Sequence, residues 1–456
     1  MDALRKRRLV AIGSFAFLAI TVLLVVALRQ PFIRYKVTGF LNNESFCRGL
    51  PLSYWKAQLK DPNWRVRRDA AESLGQVRGH IDLVPELTNA LYDDDSDVGQ
   101  AAAWALTRLI PKHPELLTIL IEGMKNRNVA FRRSCARGLG LLDGRTDEAM
   151  FVLIAALNDE DVCVRKAAVL SMYEIIPPGP KEAVPGLVSA LKDKTFDSES
   201  RKLAAYAIGK VGPEARTAVP QLDEALGDKD LRYAAADALG RIGSSSKPAI
   251  PSLLKILANK MEDSFDRTVA ASALGKIGLD ANKAVPVLKE CLEDQDFHVR
   301  VEAAYSLWEI NQNPRDVMPA LIEILNNDRN YNAQRRAVEV VGHIGPDAKG
   351  AVPALINNLR LETGYARQRV IAALQKIDAE TAARKGIPIL IAQLNRKGDY
   401  SRAASARRLG TFGPVAKEAV PSLIKALRDE DKDVRKEAGI ALKKIDPDAA
   451  TNAGVE

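Results

Sequence analysis

The sequence predicts an all-α solenoid, a superhelical stack of about twelve helical hairpins, and three observations carry that expectation. A pattern recurs along nearly the whole chain, clearest in Ala183-Val184-Pro185…Leu187…Leu191, Ala284-Val285-Pro286…Leu288…Leu292 and Ala419-Val420-Pro421…Leu423…Leu427, and self-similarity at such a period marks a stacked array. An arginine opens the second half of most copies, at Arg67, Arg132, Arg165, Arg201, Arg232, Arg267, Arg300, Arg367, Arg402 and Arg435. Gly99 and Gln334 fill the two remaining slots, and steps between slots run from 31 to 36 residues. Within a copy, apolar residues such as Val434, Ala438, Ala441, Leu442 and Ile445 recur at helical rather than strand spacing.

Each element of the repeat has a local reason. Proline is tolerated in a first helical turn, which has no donor duty, so Pro85, Pro185, Pro220, Pro251, Pro286, Pro319, Pro353, Pro388 and Pro421 mark starts of first helices. Asp61, Asp159, Asp294 and Asp429 lie six residues before the slot arginine, in a turn where carboxylates suit the N-terminus of a second helix. Gly212, Gly243, Gly278, Gly345 and Gly413 end second helices by supplying a left-handed residue. In-helix glycines such as Gly75, Gly140 and Gly275 read as points of close helix packing.

With these residues in place, the pattern AVPxLxxALxDxDxxVRxxAAxALGxIG resembles the short HEAT-like repeat named after phycobilisome lyases, over residues 52–445. The resemblance implies a HEAT-like α-solenoid in a bacterial chain, with second helices lining a concave binding face; the membrane anchor is read separately, from the N-terminal segment. The unit around Gly99 departs by lacking the arginine, and the unit around Met150 by lacking the proline. The resemblance also raises two activities. A bilin lyase-type accessory factor has no support beyond the repeat itself. Deoxyhypusine hydroxylases of this architecture hold iron with His-Glu pairs, and none of His80, His113, His298 and His343 neighbours a glutamate.

Composition fits an alanine- and leucine-packed array: aromatic residues are 5% of the chain, with Tyr54 and Trp55 expected to close the N-terminal end. The cysteines Cys47, Cys135, Cys163 and Cys291 show no metal-ligand spacing, and a Cys135–Cys163 disulfide is conceivable without support. Catalytic motifs are absent, so neither an enzyme nor a cofactor is expected.

Residues 1–8 are basic, with Arg5, Lys6, Arg7 and Arg8, and residues 9–28, from Leu9 to Leu28, are apolar and uncharged. A helix of that length reaches roughly 30 Å, enough to cross a membrane. The expectation is a single-pass signal anchor with a cytoplasmic N-terminus and the solenoid on the periplasmic side. A cleaved signal peptide is its rival. Residues 29–51 are read as a tether and 446–456 as a tail.

Two sets of residues are candidates for binding. Two positions before the repeated leucine of the second segment the chain reads Glu72, Trp104, Arg137, Leu170, Tyr206, Asp237, Ser272, Tyr305, Glu339, Ala372, Arg407 and Ile440. Of these, Trp104, Tyr206, Tyr305, Arg137 and Arg407 are candidate contacts for a protein partner, against the alternative that the aromatics fill gaps between repeats. Residues 356–412 hold eleven Lys or Arg against four acids, nearly all of the chain's formal +8. Their candidate basic patch is Arg360, Arg367, Arg369, Arg384, Lys385, Arg396, Lys397, Arg402 and Arg408. It is open to a solvated face, an acidic polymer or lipid headgroups, and to nucleic acid if the topology is reversed. The slot arginines are read as structural, bonding to carboxylates and carbonyls of the preceding turn. The function expected is a membrane-anchored, non-enzymatic scaffold for protein partners.

Overall fold

The fold is described from a computed structural model covering residues 31–456, apart from 43, 78–80, 111–113, 143–146, 327–329, 362–363, 397, 399 and 456. Among the described residues the helices form twelve consecutive pairs, the first being Leu52–Gln58 with Trp64–Gly75 and the last Val420–Ala426 with Lys432–Ile445. They fall into two units, one ending at Ala218 and the other Val219–Glu456. The repeat therefore does what its periodicity predicts. First helices bury the repeated leucine, as Leu87, Leu120, Leu153 and Leu187 in one unit and Leu222, Leu253, Leu288, Leu321 and Leu423 in the other, all fully buried. Each such side chain is worth about 1.5–3 kcal/mol of transfer free energy.

Within each unit, second helices pack directly on the second helices of neighbouring pairs, as Ser264–Ile277 does on Phe297–Asn311. Small residues permit the approach. A Cβ added to Gly140 would stand 2.5 Å from Ser171, and one added to Gly275 would stand 2.6 Å from the Ser306 hydroxyl. Ser306 uses that proximity to donate to the Ala271 carbonyl at 2.8 Å.

The turn inside each pair divides its work between two acids. Asp161, not Asp159, caps the second helix, accepting from the Cys163 and Val164 N–H groups. Asp296 and Asp431 do likewise, whereas Asp159, Asp294 and Asp429 accept the backbone N–H of the capping residue and face the arginine of the pair before. Both acids of the DxD motif suit a helix N-terminus, and the second of them takes the cap.

Glycine ends second helices as expected, but in a different backbone region. Gly278 has φ +77° and ψ −142°, outside the left-handed helical basin and in territory open essentially to glycine alone. Prolines open first helices at Val184–Lys192, Ile250–Ala258 and Val285–Cys291. Pro319 and Pro388 depart from this, lying inside Pro314–Asn326 and Ala379–Leu394, whose helices begin earlier.

Three expectations at the chain ends are corrected. Residues 31–51 are folded rather than a tether: helix Pro31–Leu41 is followed by a two-stranded antiparallel hairpin, Phe46–Cys47 with Leu50–Pro51. Tyr35 packs edge-on against Tyr54 at 5.3 Å, Tyr54 against Trp55 at 5.1 Å, and the Trp55 indole donates to the Cys47 carbonyl, so this segment covers the first pair. The supposed tail carries helix Pro447–Asn452, packed on Lys432–Ile445. Finally, among the described residues no helix is long and apolar enough to cross a membrane, which overturns the single-pass, periplasmic-side placement. The segment 9–28 on which that placement rested lies outside the described residues. All four cysteines are free thiols, so Cys135 and Cys163 are not bridged.

Candidate binding face of the second helices

The slot arginines are spent inside the stack. Arg67 forks onto Asp93 at 2.7 and 2.8 Å, Arg132 onto Asp159 at 2.9 and 2.9 Å, and Arg165 reaches Asp193 at 2.9 Å. The same guanidiniums also donate to carbonyls of their own turn, Arg132 to Asn126 and Arg165 to Asp159. Carbonyls thus come from the preceding turn, as expected, whereas the carboxylates come from the next repeat, making a chain such as Arg132–Asp159–Arg165–Asp193. Arg267–Asp294–Arg300 and Arg402–Asp429–Arg435 repeat it in the second unit. The two exceptions have local causes. A Cβ on Gly99 would stand 2.1 Å from the Ser134 hydroxyl, leaving no room for a side chain, and Gln334 directs its amide to the Leu325 carbonyl.

The predicted partner contacts separate by burial. Trp104, Tyr206 and Tyr305 are each half-buried on the second helices Ser96–Thr107, Ser198–Val211 and Phe297–Asn311. Trp104 lies over Gly75 and under the Arg108 guanidinium, 5.1 Å from the ring centre, in a cleft lined also by Arg68, Glu72, Gln76, Asp97 and Gln100. Tyr206 stands 6.0 Å from Tyr173. Arg137 is buried and committed to Ser171 and Glu174 of the next second helix. Arg407 is exposed and pairs with Glu437 at 2.8 Å.

Tyr305 lies in the most cationic surroundings. Arg336 sits 4.7 Å over its ring and His343 packs edge-on at 5.6 Å, with its Nε2 2.9 Å from a Glu309 carboxylate oxygen. Burial, reinforced by the Glu309 charge, pushes the Tyr305 phenol up to about 12. The cleft there, about 370 Å³, is also lined by Glu339, Arg369, Lys376 and Arg408. The structure therefore brings one predicted aromatic and two members of the basic patch together.

The rest of that patch is scattered. Arg402 is buried on Asp429, and Arg367 donates to the Leu359 carbonyl. Arg384 and Lys385 are exposed on the first helix Ala379–Leu394, and Arg396 lies in the following turn. Arg360 lies on helix Val352–Leu361, while Lys397 falls outside the described residues. Arg336, Lys376 and His343 were missed as site residues. They stand three before or four after the row positions 339 and 372, so a row sampled once per helix skips its neighbours one turn away. Among the described residues no group of three or more His, Cys, Asp or Glu gathers where a metal ion could sit.

The sequence matches the family of HEAT repeats over residues 52–140, 117–198, 184–275 and 387–453. The chain belongs to the HEAT repeat family. Residues 266–294 also match the PBS lyase HEAT-like repeat, the variety the sequence pattern resembles. No curated protein matches the sequence. Among solved structures, yeast importin-beta (Kap95p) is 13% identical with a TM-score of 0.55, over 88% of this chain and 62% of that one. Kap121p is 15% identical with a TM-score of 0.42, over 86% of this chain and 49% of that one. An engineered protein is 23% identical with a TM-score of 0.36, over 86% of this chain and 98% of that one. This HEAT repeat chain thus spans under two thirds of either karyopherin, and at such identities the likeness to importin-beta is one of fold.

Proposed function

We propose that the chain is a non-enzymatic protein-interaction scaffold whose second helices present the binding face. One observation carries this reading: the half-buried aromatics Trp104, Tyr206 and Tyr305 all stand on second helices, Trp104 and Tyr305 each beside an arginine, while the repeating arginines are consumed within the stack. Partly exposed Trp and Tyr offer large contact area at small entropic cost, the usual chemistry of interface anchors. Each unit carries such anchors on its own second helices, Trp104 and Tyr206 in one and Tyr305 in the other, rather than in one enclosed pocket. The fold shared with importin-beta supports the same reading.

The test compares crosslinked capture by the wild type and by a Trp104→Ala/Tyr206→Ala/Tyr305→Ala variant, alongside thermal melts of both. A partner protein recovered repeatedly with the wild type and lost with an equally stable variant is the expected result. Undiminished capture by that variant would contradict the reading.

A further inference from the structure

The Tyr305 cleft carries more positive charge than its own carboxylates neutralise. Arg336 is accounted for, bonded to Glu302 at 3.2 Å and close to Glu339 at 3.6 Å. His343 Nε2 faces the Glu309 carboxylate. Arg369 and Lys376, two turns apart on helix Gly364–Ile377, are exposed, and neither forms an ion pair among the described residues. Arg408 is half-buried, and its Nη1 reaches the neutral Gln375 amide oxygen at a long 3.4 Å. Burial without a carboxylate lowers its pKa. A half-desolvated guanidinium facing a neutral amide costs energy that an incoming anion returns.

We propose that this cleft binds an acidic segment of a partner protein, with carboxylates taken by Arg369, Lys376 and Arg408 and the segment lying against the Tyr305 ring. The assignment rests on the scaffold reading and gives it a partner chemistry. A peptide suits the site better than a nucleic acid does. A polynucleotide needs cations tracking its backbone over many phosphates, whereas here Arg369, Lys376 and the half-buried Arg408 converge on one cleft beside the Tyr305 ring. On one side the face turns to Asp237, already engaged by Lys276 at 2.8 Å and Arg241 at 2.7 Å. On the other, Arg407 is occupied by Glu437. At about 370 Å³ the cleft accommodates a few side chains.

The experiment titrates the full chain into a short fluorescein-labelled oligoglutamate peptide and reads anisotropy at low salt. Wild type binds, binding weakens with ionic strength, and an Arg369→Gln/Lys376→Gln/Arg408→Gln variant binds about tenfold more weakly or worse. An Arg384→Gln/Lys385→Gln variant, changed on a first helix, binds like wild type. Melting curves of both variants accompany the titration. The proposal is overturned if wild type does not bind the peptide, if the control loses as much as the triple variant, or if inorganic phosphate or a single-stranded oligonucleotide binds more tightly. Absent peptide binding with partner capture still dependent on Trp104 and Tyr206 would sink the acidic chemistry and leave the scaffold; loss of that dependence would sink the scaffold as well.

Discussion

Replacing Arg267 by alanine strips the buried Asp294 carboxylate of its paired guanidinium. Arg267 and Asp294 are 7% and 8% exposed, and both carboxylate oxygens bond to that side chain. Removing one partner of a buried pair leaves the other charge uncompensated, at a cost of about 3–5 kcal/mol. A folded body this size loses about 2–4 °C of Tm per kcal/mol, so the unit should melt at least about 6 °C lower. The pH dependence makes the test sharper. In the wild type, burial works to raise the Asp294 carboxyl, but the Arg267 guanidinium and the Asp296 N–H outweigh it and hold the group below its ordinary value. Stability from such a depressed carboxyl is present above the unfolded value, near pH 4, and is lost as pH falls through the folded one. Without Arg267, burial dominates and the folded value rises above the unfolded one. The penalty is then full at neutral pH and relieved as pH falls through the raised value. The gap between variant and wild type should therefore be widest at pH 7 and narrow as the solution is acidified toward the unfolded carboxylate value near pH 4. Circular dichroism melts across that range measure it, with Arg267→Met/Asp294→Leu expected to recover most of the loss. A variant melting with the wild type, or a deficit indifferent to pH, would refute the view that the ladder is structural.

Other outcomes follow from the same geometry. Gly140→Ala forces a methyl against Ser171, where 2.5 Å separates the positions, and should cost about 1–3 kcal/mol in a chemical melt. Gly278→Asn should cost about 1–3 kcal/mol, because ψ −142° lies outside the basin that asparagine tolerates; a neutral effect would mean that the turn relaxes easily. Thiol titration of the native protein at pH 8 should modify Cys163 first, since it is exposed, whereas burial pushes Cys135 up to about 12 and Cys291 to about 11. Rapid reaction at Cys135 would show that the buried helix rows open.

What the sequence disclosed was whatever repeats. Leucine, proline, glycine and arginine recur at a fixed interval because every pair solves the same packing problem, so the hairpin count and the structural reading of Arg132 or Arg165 were legible. Features settled by a single contact were not. Arg137 and Tyr305 occupy the same row position, yet one is drawn inward by Glu174 and the other remains half-buried beneath Arg336. No periodicity distinguishes them. The basic stretch misled for a related reason: residues close in sequence, such as Arg402 and Arg408, go to the interior and to the cleft, because neighbouring positions on a helix face different ways. The hairpin at Phe46–Cys47 and Leu50–Pro51 is shorter than any window in which alternation can be read.

Site-resolved photo-crosslinking tests the scaffold most directly. A photoreactive residue is placed singly at exposed second-helix positions Asp97, Glu339 and Arg369, and at exposed first-helix positions Lys255, Lys289 and Lys385. The account predicts one recurrent protein adduct from second-helix positions and none from the first-helix row. Adducts confined to the first helices, or equal from both rows, would contradict it.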